Sequence, residues 1–235
     1  MLKKISYTLS SGSPLYPGTP QTIFQSIKSI ERGDSANTSL ITVSSHAGTH
    51  IDVPLHFCPG GKSVSELLGD CIIISPVYCI DVNVKPKNPV SISDVASVLE
   101  KCTDATGILI RTGMFQFRAS DAMRYCSDYP WIDSELPSFL KGMCPSLQLF
   151  GTDTLSISNP SHRIEGHDCH RAILCGEKPV LIAEDLDLSD PDLISGALRI
   201  LIYPWIIDHL DGVPALIFAE LYRLSPHIQD WEELL

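Results

Sequence analysis

Basic residues are scarce in this chain: 17 Lys and Arg stand against 28 Asp and Glu, a formal net charge of −11 over 235 residues. Nucleic-acid backbones and anionic lipid are held by clustered Lys and Arg, so the balance argues against nucleic-acid and membrane partners. Long apolar runs are missing too. The longest, at 71–74 and around residue 200, fall far short of the roughly 20 residues that cross a bilayer. No apolar segment follows Lys3 and Lys4 in the manner of a signal peptide, and the expectation is a soluble cytoplasmic protein. None of the eight cysteines forms a Cys-x-x-Cys pair, which argues against a zinc knuckle. All eight are expected as reduced thiols, many buried as small apolar side chains. Gly60-Gly61-Lys62-Ser63 lacks the first glycine of a phosphate-binding loop. There is no internal repeat and no low-complexity segment.

What is present suffices for a folded core. Hydrophobic residues make up 44% of the chain and charged residues 19%, consistent with one large domain spanning 1–235. Strand signals at 4–9, 22–30 and 38–44 come first, the last rich in β-branched residues. Between the first two, residues 10–20 hold three prolines and two glycines, which excludes regular structure. Tyr16 lies among those prolines, either as a wall for substrate stacking or as an anchor on the core. A helical turn is expected at 65–68. From residue 71, strands at 71–81, 106–112, 147–150, 179–183, 197–204 and 213–224 alternate with helices at 91–102, 134–142 and 167–175. Residues 114–130 read as a covering loop. The alternation indicates α/β architecture, and the strand-rich start argues against a purely parallel doubly wound sheet.

Residues 46–56 hold three of the eight histidines and one aspartate: His46, His50, Asp52 and His56. On a helix, His46 and His50 share a face while Asp52 lies nearly opposite, and Gly48 and Pro54 disfavour a helix. On a strand, all four have one parity and one face. A straight strand would still separate His46 from His50 by about 13 Å, at roughly 3.3 Å per residue. One metal with ligand bonds of about 2.0–2.2 Å cannot span that. The backbone therefore bends at Gly48, and Pro54 turns it again to bring His56 back. Nitrogen and oxygen donors suit Zn²⁺ or Mn²⁺, and the two oxygens of Asp52 can bridge two ions. Further donors must come from elsewhere. His162, His167 and His170 lie just before or on a helix, and His167 and His170 share a face. Glu184 ends the strand at 179–183, where α/β proteins expose functional groups. Glu177 sits in a Gly-Glu-Lys-Pro turn and is expected in solvent. His209 and His227 are isolated.

The run from His46 to His56 resembles the His-x-Gly-Thr-His-x-Asp-x-Pro-x-His motif of the metal-dependent cyclase family that includes bacterial kynurenine formamidase. The likeness extends through Leu15-Tyr16-Pro17-Gly18, Ile110-Arg111-Thr112-Gly113 and Gly151-Thr152-Asp153-Thr154. It continues through residues 170–174, Glu184-Asp185-Leu186 and Asp211-Gly212-Val213-Pro214. The resemblance implies a single α/β domain around a mixed, barrel-like β-sheet with flanking helices, in a homodimer or homotetramer. It implies that His46, His50 and Asp52 hold a first metal. Asp52 would bridge to a second, bound by His170, and Glu184 would contact both. His56 would be the catalytic acid/base, and Tyr16 a substrate-contacting aromatic, often Trp in formamidases.

Two departures from the pattern stand out. His170 and Glu184 are fourteen residues apart, about two more than the pattern expects, which leaves His167 as a rival ligand. Tyr16 replaces Trp. The implied activity is metal-dependent hydrolysis of a small-molecule formamide or amide, first of all N-formyl-L-kynurenine, with one or two Zn²⁺ or alternatively Mn²⁺. Isatin, lactone or other cyclic-amide hydrolysis is the alternative on the same site, as is a metal-dependent cyclase or lyase.

Overall fold

The computed structural model describes residues 1–221. His227, the polar tail and the end of the strand expected to reach residue 224 lie outside them. Twelve strands and five α-helices follow one another within these residues. The strands are β1 (Leu2–Lys4), β2 (Ile23–Lys28), β3 (Thr38–Thr42), β4 (His50–Asp52), β5 (Ile72–Asp81), β6 (Pro89–Val90), β7 (Gly107–Arg111), β8 (Trp131–Ile132), β9 (Leu149–Thr152), β10 (Leu181–Glu184), β11 (Leu198–Pro204) and β12 (Gly212–Leu221). The helices are α1 (Val64–Leu67), α2 (Ile92–Leu99), α3 (Ala122–Ser127), α4 (Leu136–Met143) and α5 (Arg163–Leu174).

One mixed sheet runs β1-β12-β11-β5-β7-β9-β10-β4, and β12 pairs again with β4. The second pairing closes seven strands into a barrel, with β1 added outside on β12. Strands β5, β7, β9 and β10 lie parallel; the remaining pairings are antiparallel. The expected barrel-like α/β domain is thus the observed one.

Strand alternation divides the core in two. Ile51, Val77, Leu109, Leu149, Ala183 and Val213 point into the barrel. Ile80, Ile108, Ile110, Phe150 and Ile182 point outward and are covered by helices, through Val95 and Leu99 of α2, Leu136 and Leu140 of α4, and Cys169 and Ile173 of α5. Helix α2 starts within the stretch expected at 91–102. Ser91 caps it and Asp94 returns to the Ser91 N–H at 2.8 Å, a capping box.

Several segments differ from expectation: α5 begins at Arg163, four residues early, and the short pair β6 and β8 falls at none of the expected strands. The first strand is confined to Leu2–Lys4, and only the bridge from Ser6 to Leu186 continues its line. The loop at 114–130 contains α3, because Asp121 accepts the Arg124 N–H and caps a turn. The thiol expectation also needs correction at two positions. Cys58 and Cys175 are joined in a disulfide that ties the loop after His56 to the end of α5. They are 117 residues apart in sequence, so no local spacing announces the pair. The other six cysteines are free.

Candidate metal centre

Alternation also places the site. Ile51 points into the barrel, so His50 and Asp52 on either side of it point outward, beneath α5. On the neighbouring strand Ala183 points in and Glu184 out. The register sets Glu184 directly opposite His50. Helix α5 supplies the third wall. Its buried residues Gly166, Cys169, His170, Ile173 and Leu174 follow helical spacing, so His170 faces the barrel.

Gly48 adopts φ +65°, the left-handed conformation that glycine takes without cost, and turns the chain so that His46 comes back over β4. Close approach then requires a second glycine. A Cβ on Gly212, opposite Asp52 on β12, would stand 2.6 Å from His46 Cε1. After Asp52, Pro54 opens a 3-10 turn over Pro54–His56 that carries His56 to the same side.

The side chains meet as follows. His50 Nδ1–H donates to the Gly48 carbonyl at 2.8 Å, and His170 Nδ1–H donates to the Gly166 carbonyl at 2.7 Å. Both bonds turn Nε2 toward the carboxylates. His50 Nε2 lies 3.3 Å from Asp52 Oδ1 and 3.5 Å from Glu184 Oε2; His170 Nε2 lies 3.5 Å from Glu184 Oε1 and 3.9 Å from Asp52 Oδ2. Glu184 is fixed by the Ser156 hydroxyl at 3.0 Å and the Ile157 N–H at 2.7 Å. Behind it, Asp185 takes a bidentate pair from Arg118 at 2.7 and 2.6 Å, and its carbonyl accepts the Thr49 hydroxyl, tying the ends of β10 and β4 together.

His46 contacts a carboxylate with each nitrogen: Nδ1 lies 2.8 Å from Asp52 Oδ1 and Nε2 2.9 Å from Asp211 Oδ2. The same Asp211 oxygen lies 3.0 Å from His56 Nδ1, and the His46 and His56 rings stack at 3.9 Å. Asp211 also accepts the Ser45 hydroxyl. Sequence reasoning gave Asp211 no role, although Asp-Gly-x-Pro was part of the resemblance. Its adjacency to Gly212, which must be small for His46, is the signal that would have found it.

The electrostatics are those of a cluster short of positive charge. Burial pulls the His46 imidazole down, but the Asp52 charge and the bonds to Asp211 and Asp52 outweigh it and hold it up at about 9. Burial likewise pulls the His50 imidazole down, but Asp52 and Glu184 together outweigh it and hold it well above its ordinary value. For His170 the bond and charge of Glu184 do the same. Asp52 is held well below its ordinary range: burial works against ionisation and the His46 and His50 charges prevail.

Two polar atoms of this cluster, His50 Nε2 and Asp52 Oδ2, are buried without a hydrogen-bond partner. Unpaired buried groups of this kind are expensive, and their donor chemistry is that of metal ligands. Two trios of donor atoms, His50–Asp52–Glu184 and His46–Asp52–His56, each lie within 4.8 Å of one another and share Asp52. The residues present therefore fit a divalent metal ion. His46, His50, Asp52, His170 and Glu184 are all brought together, with His56 as close as a ligand. His167 is exposed and lies beside Phe57, outside the donor trios. Glu177 is exposed as expected, His162 stacks on Trp131, and His209 pairs with Asp208 in solvent.

The cluster floors a cavity of about 250 Å³ walled by Tyr16, Phe57, Leu155 and the hydroxyls of Ser156 and Ser158. Tyr16 anchors its loop on the buried Met114–Tyr125–Tyr129–Leu155 cluster, and it also lines the cavity. No cysteine belongs to this wall, and burial pushes the nearby Cys169 thiol far up.

Comparisons with known proteins agree with this picture. The Cyclase family model matches residues 4–159. A kynurenine formamidase of Geobacillus thermodenitrificans is 30% identical over 178 residues, which are 73% of this chain and 77% of that one. Among solved structures, isatin hydrolase A from Labrenzia aggregata superposes with a TM-score of 0.76 at 20% identity, over 93% of each chain. A protein of Bacillus stearothermophilus, described as a predicted metal-dependent hydrolase, does so with a TM-score of 0.70 at 22% identity, over 93% of this chain and 97% of that one.

Proposed function

This chain belongs to the Cyclase family, and on that premise we propose that it is a metal-dependent amidohydrolase. Its first substrate is N-formyl-L-kynurenine, cleaved to formate and L-kynurenine. The observation that carries the reading is the buried pair of unpartnered ligand atoms, His50 Nε2 and Asp52 Oδ2, facing Glu184 and His170. His46, His50, Asp52, His170 and Glu184 would hold the metal. Nitrogen and oxygen donors without thiolate make Zn²⁺ the first choice, one or two ions, and Mn²⁺ the alternative.

When bound, a divalent ion would supply Lewis-acid chemistry: a water acidified from about 15.7 toward 7 and a polarised substrate carbonyl. The chain's own residues do the rest. Asp211 holds His56 through Nδ1, leaving Nε2 to take a proton from the attacking water and return it to the departing amine nitrogen. Phe57 and Leu155 keep bulk water from the reacting carbonyl, and Tyr16 offers its ring to an aromatic substrate. The hydroxyls of Ser156 and Ser158 stand where a polar substituent would be held. The ligand is thus a small molecule, and a cyclic amide such as isatin is the second choice on the same residues.

The test is turnover by the Zn²⁺- or Mn²⁺-loaded chain of N-formyl-L-kynurenine beside isatin and a simple lactone. The formamide should give the highest kcat/KM. A higher value for isatin or the lactone would transfer the reading to ring opening on the same site. No turnover of any of the three would overturn it.

A further inference from the structure

The Cys58–Cys175 bond joins two segments that also carry active residues. Cys58 follows His56 by two residues, and Cys175 ends the helix that carries His170. Between His56 and Cys58 lies Phe57. Its ring stacks on His170 at 4.4 Å, meets the His56 ring edge-on at 4.5 Å and walls the cavity of the metal centre. Each segment is also held without the bond. Helix α5 is seated by Cys169, Ile173 and Leu174 in the core, and Lys141 Nζ donates to the carbonyls of Ala172 and Ile173 at 2.6 and 2.8 Å. The loop closes on itself, with the Cys58 N–H on the Pro54 carbonyl at 2.8 Å and the Gly61 N–H on the Cys58 carbonyl at 2.8 Å. It leaves no room: a Cβ on Gly61 would stand 2.6 Å from the Pro54 carbonyl carbon. What the bond adds is a link from loop to helix, across which Phe57 and His56 face His170.

The bond is open to attack. Both cysteines are half-buried, and both line a recess of about 430 Å³ with Pro54, Gly61, Lys62 and Glu177. Cys175 lines a second recess, of about 410 Å³, with Lys141 and Lys178. Three lysines against one glutamate make a local positive excess on a chain of −11. The other six cysteines are thiols, and a chain that keeps six thiols beside one disulfide suits surroundings in which thiols and disulfides exchange. We propose that Cys58–Cys175 is a thiol-exchange site for a small anionic monothiol, and that the bond sets how firmly Phe57 and His56 are held against His170. A thiolate attacks Cys175 Sγ, the sulfur that both recesses reach. The S–S bond breaks, and Cys58 leaves as a thiolate and takes a proton. A second thiolate attacks the outer sulfur of the mixed disulfide. Cys175 leaves and takes a proton, and the two monothiols depart joined as their own disulfide. Two electrons have then passed to the protein, and the same steps in reverse restore the bond.

The link to turnover rests on the hydrolase reading; the exchange itself does not. Incubating the Zn²⁺-saturated chain in glutathione buffers, from oxidised glutathione alone to about 10 mM reduced glutathione, tests both. Alkylation and mass spectrometry should find Cys58 and Cys175 linked at the oxidising end, free at the reducing end, and glutathione on Cys175 between them. On reduction, hydrogen exchange at the Phe57 and Cys58 amides should rise about tenfold and kcat for N-formyl-L-kynurenine should fall about tenfold, with Zn²⁺ per chain unchanged. Both should return with oxidised glutathione. Cys58→Ser/Cys175→Ser should show the lower rate in every buffer. A pair that stays linked in reduced glutathione, or amide exchange that ignores the linked fraction, would overturn the proposal. Loss of Zn²⁺ together with the bond, or a kcat that ignores the linked fraction, would overturn the role given to Phe57 and His56. Amide exchange that follows the linkage in a chain that turns over no substrate would support the exchange site and overturn the hydrolase reading instead.

Discussion

At the β4–β10–α5 crossing, Asp52, Glu184, His50 and His170 are buried to 1–5% side-chain exposure. On the β2–β3 ribbon, five large apolar residues stand about half exposed. The first region puts ionisable groups where the rest of the molecule puts leucine and isoleucine; the second does the reverse. Burying an ion costs several kcal/mol unless it is paired, and leaving a large apolar side chain in water forgoes about 1.5–3 kcal/mol. Elsewhere buried carboxylates are paired, as Asp185 is with Arg118 and Asp153 with the N–H and hydroxyl of Thr112. The first region therefore has the donor chemistry of a divalent-cation site.

If the two regions are independent, each can be broken without the other. The largest effect is expected from Asp52→Asn, which removes the oxygen shared by both donor trios. Bound metal should be lost and kcat/KM should fall by about 1,000-fold or more, equivalent to about 4 kcal/mol. The circular dichroism spectrum should stay that of wild type. A variant that unfolds on losing the metal would make Asp52 part of the fold's stability and not of the metal centre alone. Next, His56→Ala should lower kcat by about 10²- to 10⁴-fold while metal content by elemental analysis stays near wild type. Loss of the metal instead would make His56 a ligand of the His46–Asp52 trio. Asp211→Asn should cost about 10- to 100-fold, through the orientation of His56 and His46.

The smallest effect is in pH. In the metal-free chain His46 titrates near 9 rather than 6.5, and His50 and His170 shift the same way. Their protonated forms contribute stability that is fully present below about 6.5 and is lost as pH rises through the folded value. Metal binding has the opposite sign, since it displaces the His46 proton, and affinity should climb by up to about tenfold per pH unit over that window. Melting temperatures of the metal-free chain should fall from pH 6.5 to 9.5, while the increment given by Zn²⁺ grows. Parallel curves would contradict the assignment of those protons.

Much of the centre was legible from residue order. The bend at Gly48, the outward parity of His50 and Asp52, and Glu184 at a strand end all follow from local stereochemistry. The choice between His170 and His167 stayed open in the sequence; in the structure the buried stripe Gly166, Cys169, Ile173 and Leu174 includes position 170 and omits 167. Other features rest on long-range pairing and carry no local signal. The β4–β12 contact that closes the barrel joins residues 50–52 to 212–214, and it alone brings Asp211 to His46 and His56. The Cys58–Cys175 bond depends on the same assembly. Strand propensity found the ribbon, but propensity reports fit to a pleated surface and is silent on whether anything covers it.

The central claim is that the His50–Asp52–Glu184–His170 cluster is a metal centre that drives amide hydrolysis. The most direct test is to strip the chain of metal and follow bound Zn²⁺ and N-formyl-L-kynurenine turnover together as the ion is returned. The account predicts no turnover without the ion, and activity that rises in proportion to occupancy up to one or two ions per chain. Full turnover by the metal-free chain would contradict it.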